Sequence, residues 1–133
     1  MFAFDISSNV SARKIVFSER QGDSFLVELL GQGLNVSMTV SAYTDNRGLL
    51  RWLERLAACD APWVGEDDWS TIEGEFRISA KCSTVGQVFI QVHLQALPGS
   101  VEEWRASAGI ESDLGSMSRY ASAARKFFTE QTG

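Results

Sequence analysis

Histidine is almost missing from this sequence, cysteine and proline are scarce, and no long apolar run interrupts it. Each shortage excludes something. One His, His93, and two distant cysteines, Cys59 and Cys82, cannot supply the clustered ligands of a transition-metal site, so neither metal nor cofactor is expected. The same shortage removes the usual base of a Ser–His or Cys–His nucleophile, and there is no G-x-S-x-G elbow. No catalytic residue is therefore assigned, and the chain reads as a non-enzyme. No segment approaches the roughly 20 apolar residues that span a bilayer. Met1 to Lys14 lacks a basic start ahead of an apolar stretch, so neither a membrane nor a secretory signal is expected. Two free thiols then fit a reducing cytoplasm, the expected location. Positive charge is also in deficit: 12 basic against 17 acidic side chains give a net charge of −5, with no cluster of Lys and Arg. That argues against nucleic acid and suits a protein partner with a basic surface.

What is present is periodicity. Ile15 and Phe17 (with Val16 between them), then Phe25, Val27 and Leu29, then Val36, Met38, Val40 and Ala42 against Ser37, Thr39 and Ser41, recur at every second position. Period-2 alternation is the pattern of a strand buried on one face. Gln21-Gly22-Asp23 and Gly31-Gln32-Gly33 separate these runs as tight turns, which favour antiparallel neighbours. The period then lengthens. Leu49, Leu50, Trp52, Leu53, Leu56 and Ala57 fall on one helical face, with Asp45 or Asn46 at the expected N-cap and Pro62 beyond the end. The second half repeats the order. Phe76, Ile78 and Ala80, then Val88, Ile90, Val92 and Leu94, then Trp104, Ala106, Ala108 and Ile110 mark strands. Ser112 and Asp113 offer a cap for a helix striped with Leu114, Met117, Tyr120, Ala121, Ala124, Phe127 and Phe128.

The expected fold is α+β, a single domain over residues 1–133. Six strands form one largely antiparallel sheet, with helices near 46–59 and 113–129 on the same face, arranged as two β-β-β-α pseudo-repeats. The halves run from about 13 to 60 and 70 to 131, joined by an acidic, Trp-flanked loop at 61–69. Trp52, Leu53, Leu56, Met117, Tyr120 and Phe127 are expected in the core.

Two surfaces are candidates for binding. In the joining loop, Trp63 and Trp69 bracket Glu66, Asp67 and Asp68, so aromatic anchors stand beside like charges that could meet a basic partner. The alternative is the polar face of the sheet, with Arg77, Gln91, His93 and Arg105, which suits a small molecule or a peptide. The leading expectation is a non-enzymatic protein-binding domain. An enzyme without a recognisable motif and a homo-oligomer are the remaining readings.

The run Trp69, Glu73-Gly74-Glu75-Phe76, Gly86-Gln87-Val88, Val92-His93-Leu94, then Trp104 and a closing helix, resembles a small bacterial family of uncharacterised domains. More distantly it resembles the immunity proteins that accompany WapA-type contact-dependent toxins. Those share an E-G-x-φ-x-φ strand, a glycine turn, a second alternating strand and a C-terminal amphipathic helix. The resemblance implies a cytoplasmic protein that neutralises a toxin by covering its surface. Members often carry an acidic residue and a His around the glycine turn, whereas here that turn reads Ser83-Thr84-Val85-Gly86-Gln87.

Overall fold

A computed structural model describes residues 2–129; residues 130 and 131 of the expected second half lie outside them. The chain runs β-β-β-β-α twice. Strands β1 (Phe4–Ser7), β2 (Lys14–Gln21), β3 (Ser24–Gly31) and β4 (Leu34–Ser41) precede α1 (Gly48–Ala57). Strands β5 (Asp67–Ser70), β6 (Phe76–Cys82), β7 (Gln87–Gln95) and β8 (Arg105–Asp113) precede a 3-10 turn at Leu114–Ser116 and α2 (Met117–Thr129).

The single six-stranded sheet is not what forms. There are two four-stranded antiparallel sheets, β1-β2-β3-β4 and β5-β6-β7-β8, each a meander with strands in chain order. The two additional strands are the leading ones. β1 pairs Phe4 with Phe17 and Ile6 with Ile15, and β5 pairs Asp68 with Ser79 and Trp69 with Ile78. Each is only four residues long, too short for alternation to stand out, and β5 is half aspartate. The joining loop therefore ends before Asp67.

All the alternating apolar residues named from the sequence in β2, β3, β6 and β7 are buried, as are the six core residues of the helices. They meet in one core rather than two. The inner faces of the sheets touch directly, with the rings of Phe17 and Phe76 6.0 Å apart at their centroids. The helices pack on each other and exchange partners: α1, which follows the first sheet, contacts β5 of the second, and α2, which follows the second, contacts β1 of the first. Phe127 lies edge-on to Phe4 at 5.3 Å, Phe128 packs on Phe25 at 5.5 Å, and Arg125 joins Glu54 across the helices at 2.6 Å.

The helix starts differ from expectation. Arg47 occupies the N-cap of α1 with no side-chain cap bond, because Asp45 is engaged elsewhere: it pairs with Arg51 and accepts from Trp69 Nε1 at 3.1 Å. That approach is possible because residue 48 is glycine. A Cβ there would overlap Trp69 Nε1 and Asp45 Oδ2. At the second helix Asp113 does cap, accepting from the Ser116 amide at 2.9 Å, but it starts the 3-10 turn rather than α2. Ser112 is buried, its hydroxyl 3.2 Å from that of Tyr120.

Candidate functional site

The acidic Trp-flanked segment is occupied by its own chain. Asp67, on the inward side of β5, takes a two-point bond from Arg55 of α1 at 2.7 and 3.0 Å. Asp68 accepts from Arg77 at 3.2 Å, and Glu66 accepts from the same guanidinium at 2.6 Å. These bonds raise the pKa of both arginines, Asp67 being the main cause for Arg55 and Glu66 for Arg77. Three carboxylates thus face two guanidinium groups, which leaves little free negative charge. Trp63 and Trp69 are half-buried: Trp63 Nε1 donates to the Ala80 carbonyl at 3.3 Å, and the Trp69 ring lies edge-on to Phe76 at 6.0 Å.

The polar residues expected on a sheet face do share one, the outer face of the second sheet. Strand register sets Arg77, His93 and Ser107 in one cross-strand row, with Gln91 two residues along β7 and Arg105 opposite Gln95. Arg77, Gln91 and His93 are half-buried, and Arg105 is exposed. Of these four, only Gln91 lines the groove that crosses this face.

That groove holds about 530 Å³, inside the range of small-molecule and peptide clefts. Its floor is two neighbouring cross-strand rows, Ser79–Gln91–Gly109 and Lys81–Phe89–Glu111. The β1–β2 loop, residues 8–13, forms its wall. Three contacts fix that loop. The Asn9 amide donates to the Glu111 carbonyl at 3.0 Å, so the loop continues the edge of β8. Arg13 Nη1 reaches the Gly109 carbonyl at 3.4 Å. At the far end, Ala12 and Arg13 pass over Gly31, where a Cβ would collide with their backbone. Glu66 stands at the rim, so the groove and the acidic segment share a residue.

The floor is chemically mixed. Phe89 is 45% exposed and lies between Lys81 on one neighbouring strand and Glu111 on the other, an aromatic surface flanked by opposite charges. Ser79, Gln91 and the wall hydroxyls of Ser8 and Ser11 add donors and acceptors. Arg13 Nε is buried and has no hydrogen-bond acceptor among the described residues. Such a floor can hold a polar segment with an apolar side chain. Among the described residues no group of three or more His, Cys, Asp and Glu could hold a metal ion, and no helix is long and apolar enough to cross a membrane.

Sequence reading passed over Arg13, Lys81 and Phe89. One signal was available. Along the outward positions of β7 (Gln87, Phe89, Gln91, His93, Gln95), Phe89 is the lone apolar residue. The loop that covers it is distant in sequence and carries no pattern of its own.

Away from the groove, Tyr43 donates its hydroxyl proton to Glu73 at 2.9 Å. That bond, with lesser help from burial and the charges of Glu73 and Glu75, raises the Tyr43 pKa above its ordinary 10.0. The folded chain binds this proton more tightly than the unfolded chain. The contribution is thus present below pH 10 and disappears as pH climbs through the raised folded value. In Glu73→Gln, Tyr43 is expected to ionise at lower pH, followed by NMR at its ring Cζ. An unchanged titration would mean that the bond does not form in solution.

The chain belongs to the family of unknown function DUF6228, whose model matches residues 4–131. No curated protein matches its sequence.

Proposed function

We propose that this chain is a non-enzymatic protein-binding domain that receives a short segment of its partner in the groove over β6, β7 and β8. The observation that carries this reading is Phe89: a solvent-facing aromatic, set between Lys81 and Glu111 and sheltered by the 8–13 loop. Exposing an aromatic ring to water in mid-sheet gives no folding advantage, whereas a partly enclosed ring beside charges of both signs is suited to anchor a peptide.

The family carries no functional description, so the partner class rests on the resemblance of the Trp69–Trp104 region to toxin-neutralising immunity proteins. On that reading the partner is a bacterial toxin met in the cytoplasm, and the groove accepts one of its loops while the surrounding face covers it. A basic partner surface would find Glu66 at the rim, still bonded to Arg77.

The test does not need the partner in advance. Random displayed peptides are selected on the folded chain, and binders are mapped by NMR shifts. The expected result is a set of peptides that perturb Ser79, Phe89 and Gln91 and lose about tenfold or more in affinity against Phe89→Ala, the loss of one anchor side chain. Absence of any groove-dependent peptide would overturn the proposal. Selection of small polar molecules at the same residues, with no peptide, would transfer the groove to the small-molecule reading.

A further inference from the structure

The four sheet edges are not alike. β1 and β5 are four residues long and carry Asp5, and Asp67 with Asp68, respectively. β8 is covered along part of its edge by the 8–13 loop. Short strands, charges and covering loops are the ordinary defences of an edge against pairing with another chain. From Leu34 to Thr39 β4 has none of them, and only at its end does Glu75 take the Ser41 amide. The strand spans eight residues, Leu34–Ser41, without a charge, a proline or a break in its register with β3. Val, Met, Leu and Thr make up most of it, residues that fit a pleated surface.

Two hydrogen bonds fix which backbone groups point outward. The Ala42 amide donates to the Asp23 carbonyl at 2.8 Å, toward β3, and the Ser41 amide donates outward to Glu75 Oε2 at 3.2 Å. Antiparallel pairing alternates this direction residue by residue. Asn35, Ser37 and Thr39 therefore aim their N–H and C=O groups away from β3, and among the described residues no strand pairs with them. All three side chains are exposed, while Leu34, Val36 and Met38 pack partly against the core.

We propose that β4 pairs antiparallel with β4 of a second copy of this chain, about a twofold axis through Ser37. This register sets Asn35 opposite Thr39 of the copy and Val36 opposite Met38, matching polar with polar and apolar with apolar. About six backbone hydrogen bonds form between the copies, two for each pair of outward-facing residues. A second copy is the occupant that the edge fits best. A twofold axis opposes each residue on it to itself, so a charge there would repel its own image. With a net charge of −5, contact between copies is favoured where charge is absent, and Leu34–Ser41 carries none.

Sedimentation velocity over a rising concentration series is expected to show monomer converting to dimer. Ser37→Lys sets two ammonium groups on the axis, and Ser37→Pro removes an outward donor while leaving the β3 ladder intact; each is expected to abolish the dimer. Ser37→Lys occupies an exposed position, so it remains informative if the proline variant fails to fold. In a Cys59→Ser, Cys82→Ser background, Ser37→Cys is expected to form an intermolecular disulfide and Asn35→Cys alone is not. A wild-type chain that stays monomeric throughout, a dimer that survives Ser37→Lys, or equal cross-linking at both positions would each overturn the pairing.

Discussion

Phe17→Ala is expected to lower stability by about 3–5 kcal/mol, the range for removing a fully buried phenylalanine from a core that cannot collapse around the gap. Its ring stacks on Phe4 at 4.7 Å, and it meets Phe25 at 6.1 Å and Phe76 at 6.0 Å, so one side chain serves both sheets. The loss is a large share of the 5–15 kcal/mol typical of a whole domain. The informative readout is tryptophan fluorescence in a urea titration. Trp52, Trp63, Trp69 and Trp104 all lie outside the sheet that holds Phe17. If the sheets share one core, the fluorescence midpoint falls together with that of far-ultraviolet circular dichroism, and the slope is unchanged. A fluorescence midpoint that stays put while the dichroism moves would mean that the halves unfold separately.

Glu75→Ala is expected to cost roughly 1–3 kcal/mol, the range for an unsatisfied buried group, because the half-buried Ser41 amide loses its acceptor while the Thr71 hydroxyl keeps the Phe76 carbonyl at 3.4 Å. The Glu75 side chain is nearly inaccessible, yet it is fully used: Oε1 accepts from the Thr71 hydroxyl and Oε2 from the Ser41 amide. It therefore ties the end of β4 to the turn before β6. Glu75→Gln keeps the shape but turns an N–H₂ toward one of the two donors, so an intermediate loss is expected. Chemical denaturation gives the magnitudes, and faster hydrogen exchange at the Ser41 amide locates the damage. Losses below about 0.5 kcal/mol in both variants would show that water replaces the carboxylate.

Period carried most of the fold into the sequence. Ile15 to Val40 and Phe76 to Leu94 are legible because one buried face forces every second residue to be apolar, and the two helices because a stripe repeats at 3.6. What was not legible depends on contacts between segments far apart. Phe4 and Ile6 alternate, but over four residues this cannot be told from chance. Asp67 and Asp68 oppose strand formation by composition, and they form one because Arg55 and Arg77 neutralise them from elsewhere in the chain. Whether the strands make one sheet or two is set by which edges meet, and alternation is blind to edges. The site follows the same rule. Alternation was enough to put Gln91 on an outward sheet position, but Arg13 enters the groove only because Gly31 lets the 8–13 loop lie where it does.

The exchange of helices between the two sheets has a consequence for biosynthesis. Chains emerge from the ribosome N-terminus first, so the first sheet is complete long before the helix that covers β1 exists. Phe4 waits for Phe127, a partner almost the whole chain away. Contacts of such separation are closed late and slowly, and until then Phe4, Phe17 and Phe25 present an uncovered aromatic face.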